Sequence, residues 1–181
     1  MSLYINVNHG GGPGHLALTL AFFQGGMIFG ALITSIKKEW NNKIRVIFIC
    51  MIMALIGYII FGIAPTGSYV ILIIGGVIMG LNLPIINALY QTFIQTTVPA
   101  DKIGRVTSID HTFSMAIAPL GTILCGPLAE IIGIPSLFFY SGLIGIICTM
   151  AFWSFTNIRK VNIDSKAELE KIYDEIGKLV I

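Results

Sequence analysis

Charge is scarce in these 181 residues. Only 11% are Asp, Glu, Lys or Arg, where a soluble domain carries about a quarter. Apolar residues make up 55% of the chain and the mean hydropathy is +0.86, which excludes a water-soluble domain and makes this an integral membrane protein. A net charge of +2, with no interleaving of basic and aromatic residues, excludes nucleic acid as a partner. Cysteine is equally sparse. Cys50, Cys125 and Cys148 each fall inside an apolar run without CxxC spacing, so neither a disulfide framework nor a zinc site is indicated. His9, His15 and His111 are too scattered to ligate a metal, and no cofactor is expected. Lys and Arg are absent from residues 1–15, unlike the basic leader of a cleaved signal. No Gly-Lys-Ser/Thr follows the cluster Gly10-Gly-Gly-Pro-Gly14, so it is not a phosphate loop, and nothing marks the chain as an enzyme.

What the chain has in abundance is long hydrophobic runs. A span needs about 20 apolar residues at 1.5 Å rise to cross a core of about 30 Å. Five stretches reach that length, at 16–36, 46–64, 69–90, 113–134 and 136–155. The last two nearly touch, and Gly133-Ile-Pro135 supplies the break between them. The fold class expected is therefore all-α, a polytopic bundle of five transmembrane helices over 16–158.

The eleven basic residues set the orientation. Lys37, Lys38, Lys43 and Arg45 lie between the first two spans, Lys102 and Arg105 between the third and fourth, and the rest follow the fifth. All eleven then fall on one side, with none in Pro65-Thr-Gly-Ser68 or Gly133-Ile-Pro135 opposite. By the positive-inside rule the N-terminus is outside and the C-terminus cytoplasmic, in the plasma membrane.

Residues 1–15 read as a Gly-rich extracytoplasmic connecting loop carrying no site. Residues 159–181 read as an amphipathic cytoplasmic helix. Ser165-Lys-Ala-Glu168 fits a capping box, and Leu169, Ile172, Tyr173 and Ile176 recur at helical spacing.

Polar groups and helix breakers inside apolar runs serve helix contacts or a permeation path. In the third span a turn of about 100° per residue puts Gly76, Gly80, Pro84, Asn87 and Gln91 on one stripe with Gln95 close behind. Asn87, Gln91 and Gln95 either hold helices together or line a substrate path. Asn82, on the opposite face, is assigned to helix contact. The fourth span is expected to open with Thr107 or Ser108 as its cap and Asp110 in the positive first turn. Its neighbour His111 offers an imidazole at the cytoplasmic rim. Glu130, near the outer end, either reaches the surface or is held in a cavity. With Arg105, Asp110 and Glu130 are the candidate coupling or gating residues. Pro119, Gly121, Gly126 and Pro127 are the candidate hinge, since they remove a donor or side-chain bulk.

These residues carry a family resemblance. Tyr90-Gln-Thr-Phe-Ile-Gln95 with Val98-Pro99, Gly104-Arg-Val106 with Ser108, Pro119-Leu-Gly121, and Gly126-Pro-Leu128-Ala129 with Gly133 resemble the region from the tenth to the eleventh helix of major facilitator superfamily exporters. The macrolide-efflux and enterobactin-exporter branch is the most similar. The resemblance implies a partial major facilitator fold, in which the five spans match the eighth to twelfth helices. It also implies proton-driven export of a small amphiphilic substrate, by rocking of two halves in the lipid bilayer, and a seven-helix N-terminal partner. Scattered charges over 36–45 replace the family's gating motif at that position. The second reading is a non-transporting membrane subunit that anchors or regulates a partner.

Overall fold

Each apolar run is long enough to satisfy its own backbone as a helix, the only open-chain way to cross hydrocarbon. A computed structural model describes residues 4–5, 9–37, 40 and 42–155, and five helices account for nearly all of them. They are α1 (Pro13–Ile36), α2 (Lys43–Ile63), α3 (Tyr69–Thr97), α4 (Ile103–Ile132) and α5 (Ile134–Phe155). All five are long and apolar enough to span a membrane, in agreement with the all-α expectation. The amphipathic tail expected over 159–181 and part of the loop over 36–45 lie outside the described residues.

Two helices differ in extent from the apolar runs. The third helix does not stop near Tyr90 but runs on to Thr97, so Gln91 and Gln95 are helical. It ends where Pro99 disfavours helical geometry at Val98, the C-cap. The amides of Lys102 and Ile103 fold back on the Pro99 carbonyl at 2.9 and 3.1 Å, and α4 starts at once. Thr107 and Ser108 therefore cap nothing, because Lys102 is the N-cap and makes no side-chain cap bond. Asp110 lies beyond the first turn. The onset of α4 is set by the proline turn, not by the onset of hydrophobicity.

The bundle is ordered α1, α3, α2, α5, with α3 between α1 and α2 and with α5 on the far side of α2. Glycines set these crossings. A Cβ on Gly30 would strike the Leu81 carbonyl, and one on Gly80 the Phe23 carbonyl, so α1 and α3 meet backbone to backbone. Gly57 and Gly75 do the same for α2 and α3, each hypothetical Cβ lying 3.0 to 3.1 Å from the other's carbonyl. Polar side chains in this packed part close on their own helix. Thr19 donates to the His15 carbonyl at 2.8 Å and Thr149 to that of Gly145 at 2.7 Å. Asn82, assigned above to contact between helices, is buried but donates to Ile78 of its own helix at 2.7 Å.

The fourth helix stands apart. Its principal neighbour is α5, and none of its residues is buried. Gly133, at φ +80°, turns the chain between the two.

Residues 1–15, read as a loop without a site, instead contribute two of the most buried side chains among the described residues. Tyr4 is 1% exposed and Ile5 0%, packed on Phe61, Ala64 and Leu72. The Tyr4 hydroxyl donates to the Phe61 carbonyl. That carbonyl's helical partner would be the amide of residue 65, which is a proline and has none. His9, 6% exposed, accepts the Gly67 N–H at Nδ1 (3.1 Å), and its carbonyl receives the Tyr69 hydroxyl (2.7 Å). His15 stacks on Tyr69 with ring centroids 4.0 Å apart. The segment seals the α2–α3 turn at the end of the bundle opposite the basic residues.

Candidate functional site

The polar stripe of α3 divides in two. Gly76 and Gly80 are buried against α1, while Asn87, Gln91 and Gln95 are exposed on the half nearer the basic end. The division follows from local chemistry. Glycine lets α1 approach, whereas an amide there would have to lose water for an incomplete set of bonds. Pro84, between the halves, leaves the Gly80 carbonyl without its helical donor. The three amides thus lie on one edge of one helix, facing away from α1 and α2.

The fourth helix brings one further group to that edge. The Tyr90 hydroxyl interacts with the Asp110 carboxylate, linking α3 to α4 one helical step from Gln91. Tyr90 was absent from the sequence-derived candidates, because an aromatic among apolar residues carries no polar signal of its own. Arg105 is exposed on the first turns of α4, and His111 is exposed beside Asp110. Glu130 is not part of this group. It is 20 positions beyond Asp110 along α4, about 30 Å of helix, and is exposed near the opposite end. Pro119, Gly121, Gly126 and Pro127 lie between and are exposed too, with no atom within 4 Å of a Cβ placed on either glycine. The helix runs through both prolines.

The arrangement offers amide donors and acceptors, a carboxylate beside a phenol, and a cation a few residues away. Such a set has the donors, acceptors and charges that could hold a polar or cationic group of a larger molecule. Among the described residues no three His, Cys, Asp or Glu converge as a metal site would need. A groove of about 510 Å³ between α1 and α3 is lined by Phe22, Gly25, Phe29 and Leu81 among other apolar residues, and none of the candidate residues reaches it.

The family model described as Major Facilitator Superfamily matches residues 1–178. The chain belongs to the major facilitator superfamily. Curated relatives of this member include "Macrolide efflux protein A" of Streptococcus pyogenes, 28% identical over 157 residues, or 84% of this chain and 38% of that protein. The protein of the same name from Enterococcus faecalis is 26% identical over 111 residues, 61% of this chain and 34% of the relative. "Multidrug efflux pump Tap" of Mycolicibacterium fortuitum is 23% identical over 154 residues, 85% and 37%. The chain spans little more than a third of the length of the relatives it matches. No solved structure matches it.

Proposed function

We propose that this chain supplies the eighth to twelfth helices of a twelve-helix major facilitator exporter, not an enzyme, in which a seven-helix N-terminal part completes the transport path. The substrate is a small amphiphilic molecule, in keeping with the names of the relatives, and export runs by alternating access coupled to protons. The N-terminus is outside the plasma membrane and the C-terminus is cytoplasmic, as the one-sided basic residues favour. Asn87, Gln91 and Gln95 line the path, Asp110, Arg105 and Glu130 serve coupling or gating, and the two prolines and two glycines of α4 form its hinge.

The observation that carries this reading is the exposure of α4. A helix that holds Asp110, Glu130 and two prolines yet buries none of its residues is poorly suited to face lipid on every side. A rocking carrier needs two bundles about a midplane site, and these helices provide most of one. Efflux should therefore be absent from vesicles holding this chain alone and appear when a seven-helix N-terminal partner is co-assembled. In that complex Asn87→Leu and Gln91→Leu should each change substrate preference at an unchanged protein level. Gradient-driven efflux by the purified chain alone would refute the reading. Lowered protein level with unchanged selectivity in both variants would remove the two amides from the path.

A further inference from the structure

We propose that the cleft between α2 and α5 at the basic end is a binding site for one anionic glycerophospholipid. The two helices approach closely over their other half, where Gly62 lies against Phe139 and Gly142 against Ile59 and Leu55. Toward the basic end the interface changes to large side chains. Phe48 meets Trp153 at 4.8 Å between centroids and Phe152 at 6.2 Å. Rings in place of glycines hold the helices apart and leave a cavity of about 290 Å³.

The lining runs from charged to apolar along the membrane normal. Arg45, in the first turn of α2, and Ser154, in the last turn of α5, lie at the mouth. Ile49 and Ile52 follow one and two turns deeper on α2, with Met150 opposite on α5. Among the described residues Arg45 has no acidic partner, and it lies at the positive end of the α2 dipole. Lys37, at the C-cap of α1, and Lys43, the first residue of α2, add positive charge at this end of the bundle. A phosphodiester at the mouth with an acyl chain along the isoleucines satisfies both parts, and Trp153 takes the interfacial place usual for that residue.

The occupant is a lipid and not a protein helix because of what this face lacks. The exposed side chains of the membrane-embedded parts of α2 and α5 are almost all aliphatic, aromatic or Met, whereas α4 and the open edge of α3 carry amides, carboxylates and prolines. The polar faces need protein cover, and this one does not.

The test is native mass spectrometry of the full chain in detergent with dioleoyl-phosphatidylglycerol or dioleoyl-phosphatidylcholine added. The chain should retain phosphatidylglycerol preferentially. Arg45→Gln should lower that preference about fivefold, the effect of one basic side chain at an anionic surface. Lys102→Gln, the same charge change at an exposed position before α4, should leave it intact, and glycerol 3-phosphate should not compete. Ile52→Trp, or Met150→Trp if the first fails to fold, fills the cleft and should abolish retention of both lipids. A photoactivatable phosphatidylglycerol should label the peptide containing Trp153. Equal retention of the two lipids, an equal fall in Arg45→Gln and Lys102→Gln, or labelling elsewhere would overturn the proposal.

Discussion

Gly76 and Gly80 belong to one Gly-xxx-Gly motif, yet the structure assigns them different costs. A Cβ on Gly80 lands on the Phe23 carbonyl, with the Phe23 carbonyl carbon at 3.1 Å and the Met27 nitrogen at 3.3 Å. Every neighbour is helix backbone, so no side chain can rotate aside. Helix α1 must retreat by about 1 Å, a gap that forfeits a quarter to a half of the contact attraction across it. Overpacking of this kind costs about 1–3 kcal/mol. At Gly76 the nearest atom to such a Cβ is Phe23 Cβ at 3.7 Å, an ordinary contact. There alanine adds packing and restricts the unfolded chain, a gain of up to about 1 kcal/mol. Titration of the full chain in mixed micelles with SDS, followed by far-ultraviolet circular dichroism, should rank Gly76→Ala at or above wild type and Gly80→Ala clearly below. The partner helix repeats the contrast: Gly25 has nothing within 4 Å, whereas a Cβ on Gly26 lies 2.8 Å from the Val77 carbonyl. Equal loss at Gly76 and Gly80, or none at Gly80, would refute the crossing described above.

The His9 closure should weaken in acid. Burial pushes the imidazole below its ordinary 6.5, and Nδ1 can accept from Gly67 only when unprotonated. Between the two values the opened state binds more protons, so stability falls as pH drops below about 6.5 and is complete above about 7.5. Amide exchange over 66–69, corrected for its intrinsic pH dependence, should rise in that window and lose the dependence in His9→Asn, which keeps an acceptor; a flat wild-type profile would contradict this. Tyr4→Phe leaves the Phe61 carbonyl without a donor and should cost about 1–3 kcal/mol in the SDS titration, and an unchanged midpoint would count against the seal. A cysteine at Thr66, in a background lacking native cysteines, should react with an impermeant reagent in intact cells, and one at Lys102 should not. The opposite pattern would invert the topology.

Hydrophobic run length made the five helices legible, and Gly133-Ile-Pro135 marked the turn between the last two in advance. The 3.6-residue period also put Gly76 through Gln91 on one stripe. It could not show that α1 covers only the glycine half, because which helix lies beside a stripe depends on contacts remote in sequence. The capping assignment for Thr107 followed a valid local signal. It failed because the Pro99 turn had already started the helix, and a started helix continues through Thr and Ser. The burial of Tyr4 and His9 left no periodic trace, since their partners Phe61 and Gly67 lie 57 and 58 positions away. Tyr90 was missed for a related reason: its meaning depends on Asp110, which α4 carries back to it across the turn.

The 30 residues of α4, none of them buried, have a consequence for the lifetime of the protein. Quality-control proteases draw on whatever opens most readily, and among the described helices that is α4, whose principal neighbour is α5 and which buries none of its residues. If α4 is sheltered by the partner proposed above, copies in which it stays uncovered should be removed faster than covered ones. Raising the gene dosage of this chain alone should then increase its turnover more than its amount.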